Sequence, residues 1–309
     1  MGTPMNSKEW PRHILPLIRK EWYERMSATV SPAMQFFGVE SSTESVEYSQ
    51  GIGAVGLIPE YNSAAAEGQP GAIEYGNFNP LYETTFTHKE YAKGIAVERK
   101  LWDDDQQGLI RRRAQSLGYA FGSTKATHAS SVFNNAFSAT YVGGDSVALC
   151  SASHPVNKVS TSTYSNAGST ALSYAAVVAT LIAGHDLDDD KDVPMPSMYN
   201  VLYVPTALQA TAYEIVKALA KPGTADNDAN FLTSKGLSVV VDPYLSDANN
   251  WFMLDSATST MHLLWFNRVA TELAMDPTSD YNLIAKYRAY MRYSFGWDDA
   301  RFIYGHEVT

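Results

Sequence analysis

No lysine or arginine occurs between Arg25 and Lys89, although seven glutamates lie there: Glu40, Glu44, Glu47, Glu60, Glu67, Glu74 and Glu83. The middle of that stretch, from Gly51 to Gly71, shows no sustained helical or strand period. Structureless runs of this length are uncommon inside a compact domain and are usually functional or unfolded. Cysteine is almost missing too. Cys150 stands alone, which excludes an intrachain disulfide and a cysteine-based zinc site and fits folding in a reducing cytoplasm. Long hydrophobic runs are also lacking. The longest, Ala175 to Gly184, is far short of a membrane span, and the N-terminus has no apolar signal-peptide region. A soluble protein of cytoplasmic origin is expected. Finally, there is no excess of basic charge. A net charge of -10 argues against a nucleic-acid binder, which needs a concentrated basic face. A container for DNA can still be acidic, because it confines the polymer without adhering to it.

What is present is ordinary for a folded chain: 309 residues, 45% hydrophobic and 12% aromatic, enough for one large domain or two of usual size. Residues 8 to 25 are mildly basic, and Trp10, Ile14, Leu17, Ile18 and Trp22 recur at helical spacing. A short helix in an N-terminal arm is expected, either solvated or set against the acidic stretch of another subunit. Tyr82, Thr84 and Phe86 alternate with polar residues, as do Ile95 and Val97. With residues 48 to 58 they suggest a long hairpin whose tip is Asn62 to Gly71. A helix of about 35 residues, Asp103 to Phe137, should follow, capped by Asp103, Asp104 and Asp105. Leu109, Leu117, Phe121, Thr124, Val132 and Ala136 mark one of its faces. Gly118 and Gly122 lower its propensity and imply close packing or a bend.

Residues 138 to 170 read as loops around a short strand, Ser146 to Cys150. Beyond them, a helix from Leu172 to Ala183 stopped by Gly184, a strand from Tyr199 to Val204, a helix opened by Pro205, and strands Leu237 to Val241 and Trp251 to Leu254 indicate a small α/β or α+β unit. Near the end, Tyr287, Ala289, Met291, Tyr293, Phe295 and Trp297 share one face of a strand, with Lys286, Arg288, Tyr290, Arg292 and Ser294 on the other.

Candidate chemistry is thin. Gly51, Gly53 and Gly56 match the dinucleotide fingerprint as a string, but no hydrophobic strand precedes them and Pro59 follows three residues later. Asp186 to Asp192 resembles a calcium loop, yet Lys191 and Ser197 stand where an EF-hand needs glycine and a bidentate glutamate. Cys150 and His154 are close enough in sequence to suggest a thiolate–imidazole pair, but Pro155 forces His154 extended. The seven histidines share no metal-ligand spacing. No catalytic residue, metal site or cofactor site is assigned.

The order of elements resembles the HK97-fold major capsid proteins of tailed bacteriophages and, within them, the Mu-like head-subunit group. The strings that carry the resemblance are Val97-Glu-Arg-Lys-Leu-Trp-Asp103, Ala148-Leu-Cys-Ser-Ala-Ser-His-Pro155 and Tyr293-Ser-Phe-Gly-Trp297. It implies an α+β fold with an N-terminal arm (1–47), an extended β-hairpin loop (48–90), a peripheral domain (91–165 and 265–297) containing a spine helix at 103–137, an α/β axial domain (166–264) and a C-terminal strand at the domain junction (298–309). It also implies a non-enzymatic subunit that assembles into pentamers and hexamers of an icosahedral shell around double-stranded DNA. The extended loop would lie across a neighbouring copy, burying Val55, Leu57, Ile58, Tyr61, Tyr75 and Phe78. Because that loop lacks lysine before Lys89, covalent crosslinking is not expected. Scaffolding, portal and cement proteins are the further partners, with scaffolding as a separate protein. The location is the virion after assembly in the host cytoplasm. Rival readings are an encapsulin-like compartment, a Cys150–His154 hydrolase, and a tail or connector protein.

Overall fold

The computed structural model describes residues 10–54, 56–58, 80–104, 108–159, 161–195, 197–222, 229–276 and 283–309. Helix α1 (Trp10–Ser27) opens it and is followed by a 3-10 turn (Pro32–Phe36) and strand β1 (Gly38–Ser41). Strands β2 (Val46–Ile52) and β3 (Pro80–Thr87) pair antiparallel as the base of a hairpin. Its expected tip, Asn62 to Gly71, lies outside the described residues. Strand β4 (Lys89–Glu98), helices α2 (Arg99–Asp103) and α3 (Leu109–Asn134), and the short strands β5 (His154–Pro155), β6 (Thr163–Tyr164) and β7 (Ala167–Gly168) follow. Next come α4 (Tyr174–His185), β8 (Val201–Pro205), α5 (Gln209–Lys217), α6 (Phe231–Lys235), β9 (Ser238–Asp242), β10 (Trp251–Leu254) and α7 (Ser256–His262). Strands β11 (Leu263–Met275), β12 (Ile284–Trp297) and β13 (Ile303–His306) complete the chain. Two larger sheets result, one ordered β1-β11-β12-β4 and the other β7-β13-β10-β8-β9.

The long helix starts later than its sequence suggests. Asp103 closes α2, where its carboxylate accepts from Arg99 Nε at 2.9–3.0 Å, so it does not cap a following helix. Gly108, with φ at 65°, turns the chain, and α3 begins at Leu109 without a side-chain cap. It ends at Asn134, not Phe137, because Ala136 N–H turns back to Phe133 O. The buried stripe runs through Ile110, Ala114, Leu117, Phe121, Ala129, Val132 and Phe133, whereas Leu109 is exposed. The two glycines serve close packing. A methyl group on Gly118 would stand 2.3 Å from Trp22 O of α1, and one on Gly122 would stand 2.6 Å from Thr29 Cβ. Ile14, Ile18 and Trp22 of α1 are buried against α3, with Trp22 edge-on to Phe121 at 6.3 Å; the Trp10 side chain lies outside the described residues.

Several shorter elements also differ from expectation. Ser146 to Cys150 is no strand: Asp145 Oδ1 accepts from Val147 N–H, Ser146 takes a positive φ of 63°, and only an isolated bridge joins Val142 to Ala148. Helix α4 starts at Tyr174, capped by Ser173 Oγ, and runs on through Gly184 to His185. Gly184 is therefore not its stop; its missing side chain admits the Tyr199 ring, 2.4 Å from where a Cβ would lie. The helix after Pro205 begins as a 3-10 turn (Thr206–Leu208) and ends at Lys217. The C-terminal strand spans only Ile303 to His306, and it lies inside the second sheet between β7 and β10, not between the two sheets.

The two sheets share one core at the end of α3. Phe133 meets Tyr203 at 4.8 Å, Phe252 at 5.8 Å and Phe36 at 6.1 Å between ring centroids. Beside this cluster the fully buried Asp242 accepts from Ser130 Oγ of α3 at 2.5 Å, from the Tyr203 hydroxyl, and from Tyr244 N–H at 2.8 Å. Three donors satisfy a carboxylate that would be costly to bury alone, and burial pushes the Tyr203 hydroxyl pKa well up.

Strand β12 has two different faces. Tyr287, Met291, Tyr293 and Trp297 point into the α3 core, and the Tyr293 hydroxyl lies 2.7 Å from His128 Nδ1. Ser294 and Gly296 face the opposite side, where Gly296 meets Phe86 of β3 and Ser294 meets His88 just beyond that strand. Helix α3 and the hairpin root therefore lie on opposite sides of one sheet.

Gly118→Ala should destabilise the unassembled subunit by about 1–3 kcal/mol in urea denaturation, since the added methyl must displace the α1 backbone. A second expectation concerns His306. Its ring stacks on Trp251 at 3.9 Å, Nδ1 accepts from Thr170 N–H, and burial lowers its pKa to about 4. The folded state thus holds it neutral while the unfolded chain takes up a proton near pH 6.5. Its contribution is complete above that pH and falls between about 6.5 and 4, a decline that His306→Gln should flatten in stability–pH profiles.

Candidate functional site: hairpin root and helix face

The hairpin is fixed at its root by contacts to the β1-β11-β12-β4 sheet and to the loops around it. Phe86 of β3 is buried against Phe266, at 5.2 Å between centroids, and against Leu264, with Gly296 leaving room for its ring. Between β3 and β4, His88 is held by Ser294 Oγ at Nδ1 (2.9 Å) and Ser42 Oγ at Nε2 (3.2 Å). Burial, then the Arg292 charge, lowers its pKa. Farther out, Ser49 Oγ donates to Asp298 Oδ2 at 2.6 Å, and Asp298 Oδ1 pairs with His262 Nδ1 at 2.9 Å, which raises the histidine pKa. Tyr82 donates to Asn157 O at 3.1 Å, and Glu83 O lies so close to Gly144 that a Cβ there would stand 2.6 Å away. Under the hairpin is a cavity of about 230 Å³ lined by Leu81, Tyr82, Asp190, His262, Asp298 and Arg301. Past β2 the chain turns outward: Leu57 is 80% and Ile58 92% exposed. Of the other apolar loop residues singled out from sequence, Val55, Tyr61, Tyr75 and Phe78 lie outside the described residues.

The glycine string is part of this root. Gly53 is buried after the end of β2, Gly56 takes a φ of 88°, and Ala54 N–H donates to Asp190 Oδ1 at 2.7 Å. An amide aimed at a carboxylate is set against a phosphate. In the Asp186–Asp192 turn, Asp189 Oδ1 accepts from Lys191 and Val193 N–H, so its carboxylate folds the turn while that of Asp190 holds the hairpin. No group of three or more potential metal-ligating side chains lies among the described residues. Cys150 and His154 do not form a pair. His154 bonds Asp145 Oδ2 at 2.7 Å and Leu149 O at 3.3 Å through its two ring nitrogens. Cys150 is buried against Gly305, and burial pushes its thiol pKa up, away from the thiolate a nucleophile needs.

On the other side of the sheet, α1 and α3 present a basic surface that bulk composition conceals. Arg12, Arg19, Lys20 and Arg25 are exposed on α1, and Arg111, Arg112 and Arg113 on α3. Among the described residues, no helix is long and apolar enough to cross a membrane.

A two-sheet α+β subunit with an anchored hairpin root on one side of a sheet and a long helix on the other has the HK97-like architecture of phage capsid subunits. A family profile described as phage capsid protein matches residues 82–305. The chain belongs to that family, and its role is that of a structural capsid protein. Its fold is similar to the bacteriophage JBD30 capsid, at 14% identity over 71% of this chain and 93% of that one, TM-score 0.57. It is likewise similar to the cyanophage P-SCSP1u capsid, at 9% identity over 89% and 86%, TM-score 0.58. A virus-like particle from Pyrococcus furiosus shares it at 10% identity over 94% and 98%, TM-score 0.53. No curated protein matches the chain.

Phe86→Ala should cost about 3–5 kcal/mol of local stability at the root. Amide exchange in β2 and β3 should speed up while α4 and α5 stay protected; unchanged exchange would show that Phe86 is not the anchor.

Proposed function

We propose that copies of this chain form pentamers and hexamers that close an icosahedral shell around phage double-stranded DNA. Each hairpin lies across a neighbouring copy. The observation that carries this reading is the root geometry: a hairpin fixed to the β11–β12 sheet leads into exposed Leu57 and Ile58. Large apolar side chains this exposed beside a rigid base suit an interface that is dry only in the assembly. The acidic stretch between Arg25 and Lys89 has no lysine for a covalent bond, so the shell holds by contact alone. In this reading residues 1–47 are the arm, 48–90 the extended loop, 91–165 with 265–297 the peripheral domain, 166–264 the axial domain, and residues 298–309 join the axial sheet through β13. Scaffolding, portal and cement proteins are the partners beyond self-association. Assembly takes place in the host cytoplasm, and the product is the virion head. The phage family match favours this over an encapsulin-like compartment.

Deleting residues 62–71 should leave a folded subunit, judged by circular dichroism, that yields no closed particles in negative-stain images. Normal shells from that deletion would remove the hairpin from its assigned role.

A further inference from the structure

Helix α3 has no Asp or Glu in its 26 residues but has Arg111, Arg112, Arg113 and Lys125. Helix α1, packed along it, has four basic residues against Glu21 and Glu24. Together they hold eight basic and two acidic side chains, a net of +6, within a chain of net charge -10. The remainder therefore has -16.

Little of this charge is neutralised locally. Arg111 and Lys20 approach Glu21 and Glu24 only at 3.9 Å, and Arg25 lies over the Tyr119 ring at 5.4 Å. Arg12, Arg112 and Arg113 have no carboxylate within 4 Å among the described residues. The three arginines also occupy the first turns of α3, where the helix dipole disfavours cations. An arrangement that weakens its own helix is relieved by an external anion.

The geometry favours an extended polyanion over a single carboxylate. Successive helical residues diverge by about 100°, so Arg111 to Arg113 fan outward and cannot converge on one small group. All three are exposed, with no dry pocket around them. The face is also opposite the hairpin root across β11 and β12, as Phe86 lies on Phe266 while His128 of α3 bonds Tyr293.

We propose that the α1–α3 face is the inner surface of the shell and contacts the phosphate backbone of the enclosed duplex without reading its sequence. The idea rests on the DNA-enclosing function above. Contacts of this kind are weak and salt-sensitive, on the order of 10⁻⁴–10⁻⁶ M for non-specific binding, which lets the polymer move as it is packaged.

The test uses full-length subunits and a short fluorescent DNA duplex, titrated at several salt concentrations, with negative-stain imaging of the same preparations. Binding by the natural protein should weaken steeply with salt. Arg111→Gln/Arg112→Gln/Arg113→Gln should lower the slope of log affinity against log salt by about 2–3, since each phosphate contact contributes about 0.9. Arg12→Gln/Arg19→Gln on α1 should lower it by about 1–2, whereas Lys217→Gln/Lys235→Gln on the second unit should not change it. The triple variant should still form closed particles. An unchanged slope in both helix variants would overturn the proposal. So would triple-variant subunits that bind DNA normally but no longer assemble, which would assign the face to an acidic segment of a second copy. If the natural protein binds DNA through this face yet never forms particles, the shell reading fails and the contact stands.

Discussion

Side chains alternate along β12, and most of the molecule's organisation depends on that alternation. Tyr287, Met291, Tyr293 and Trp297 must turn toward α3 to be buried, so Ser294 and Gly296 must turn away. Once the large rings have chosen a side, the small residues define the other as a shallow surface. Phe86 and His88 can settle only there. The position of the hairpin relative to the long helix thus follows from a period of two, and a slip of one residue would exchange the two faces.

Helix α3 joins the two halves of the structure by a different means. Its N-terminal half lets α1 approach at Gly118, and its C-terminal end places Phe133 and Ser130 in the core of the second sheet. Asp242 sits at that joint, buried and triply bonded. Replacing one donor would leave part of a buried carboxylate unsatisfied, so the joint tolerates little sliding.

Much of this was legible in the chain. The helical spacing of Ile14, Ile18 and Trp22, the paired glycines of α3, the period of β12 and the strand Trp251–Leu254 all reappear as elements. Strand β11 leaves no clear period in the sequence, because its first residues are buried on both faces and two register shifts interrupt it. The start of α3 is not legible locally, because Asp103 offers the same carboxylate to a cap as to Arg99 and spacing does not say which wins. The hairpin root could have been suspected from Phe86, but its partners Phe266 and Ser294 lie far away in sequence.

Charge shows the same division. A sum over the whole chain is acidic, and that sum argues against a dedicated nucleic-acid binder while leaving a DNA container open. Sequence by itself determined the two-sided strand, the one-signed stretch after Arg25, the lone cysteine and the long helix, because each depends on near neighbours or on composition. Only the tertiary structure decided that α1 lies on α3 and brings their arginines to one side of the sheet, that the hairpin root lies on the other, and that Cys150 and His154 are held by different partners. Those outcomes depend on which distant surfaces are buried together, and burial is a property of the packed molecule, not of any segment in it.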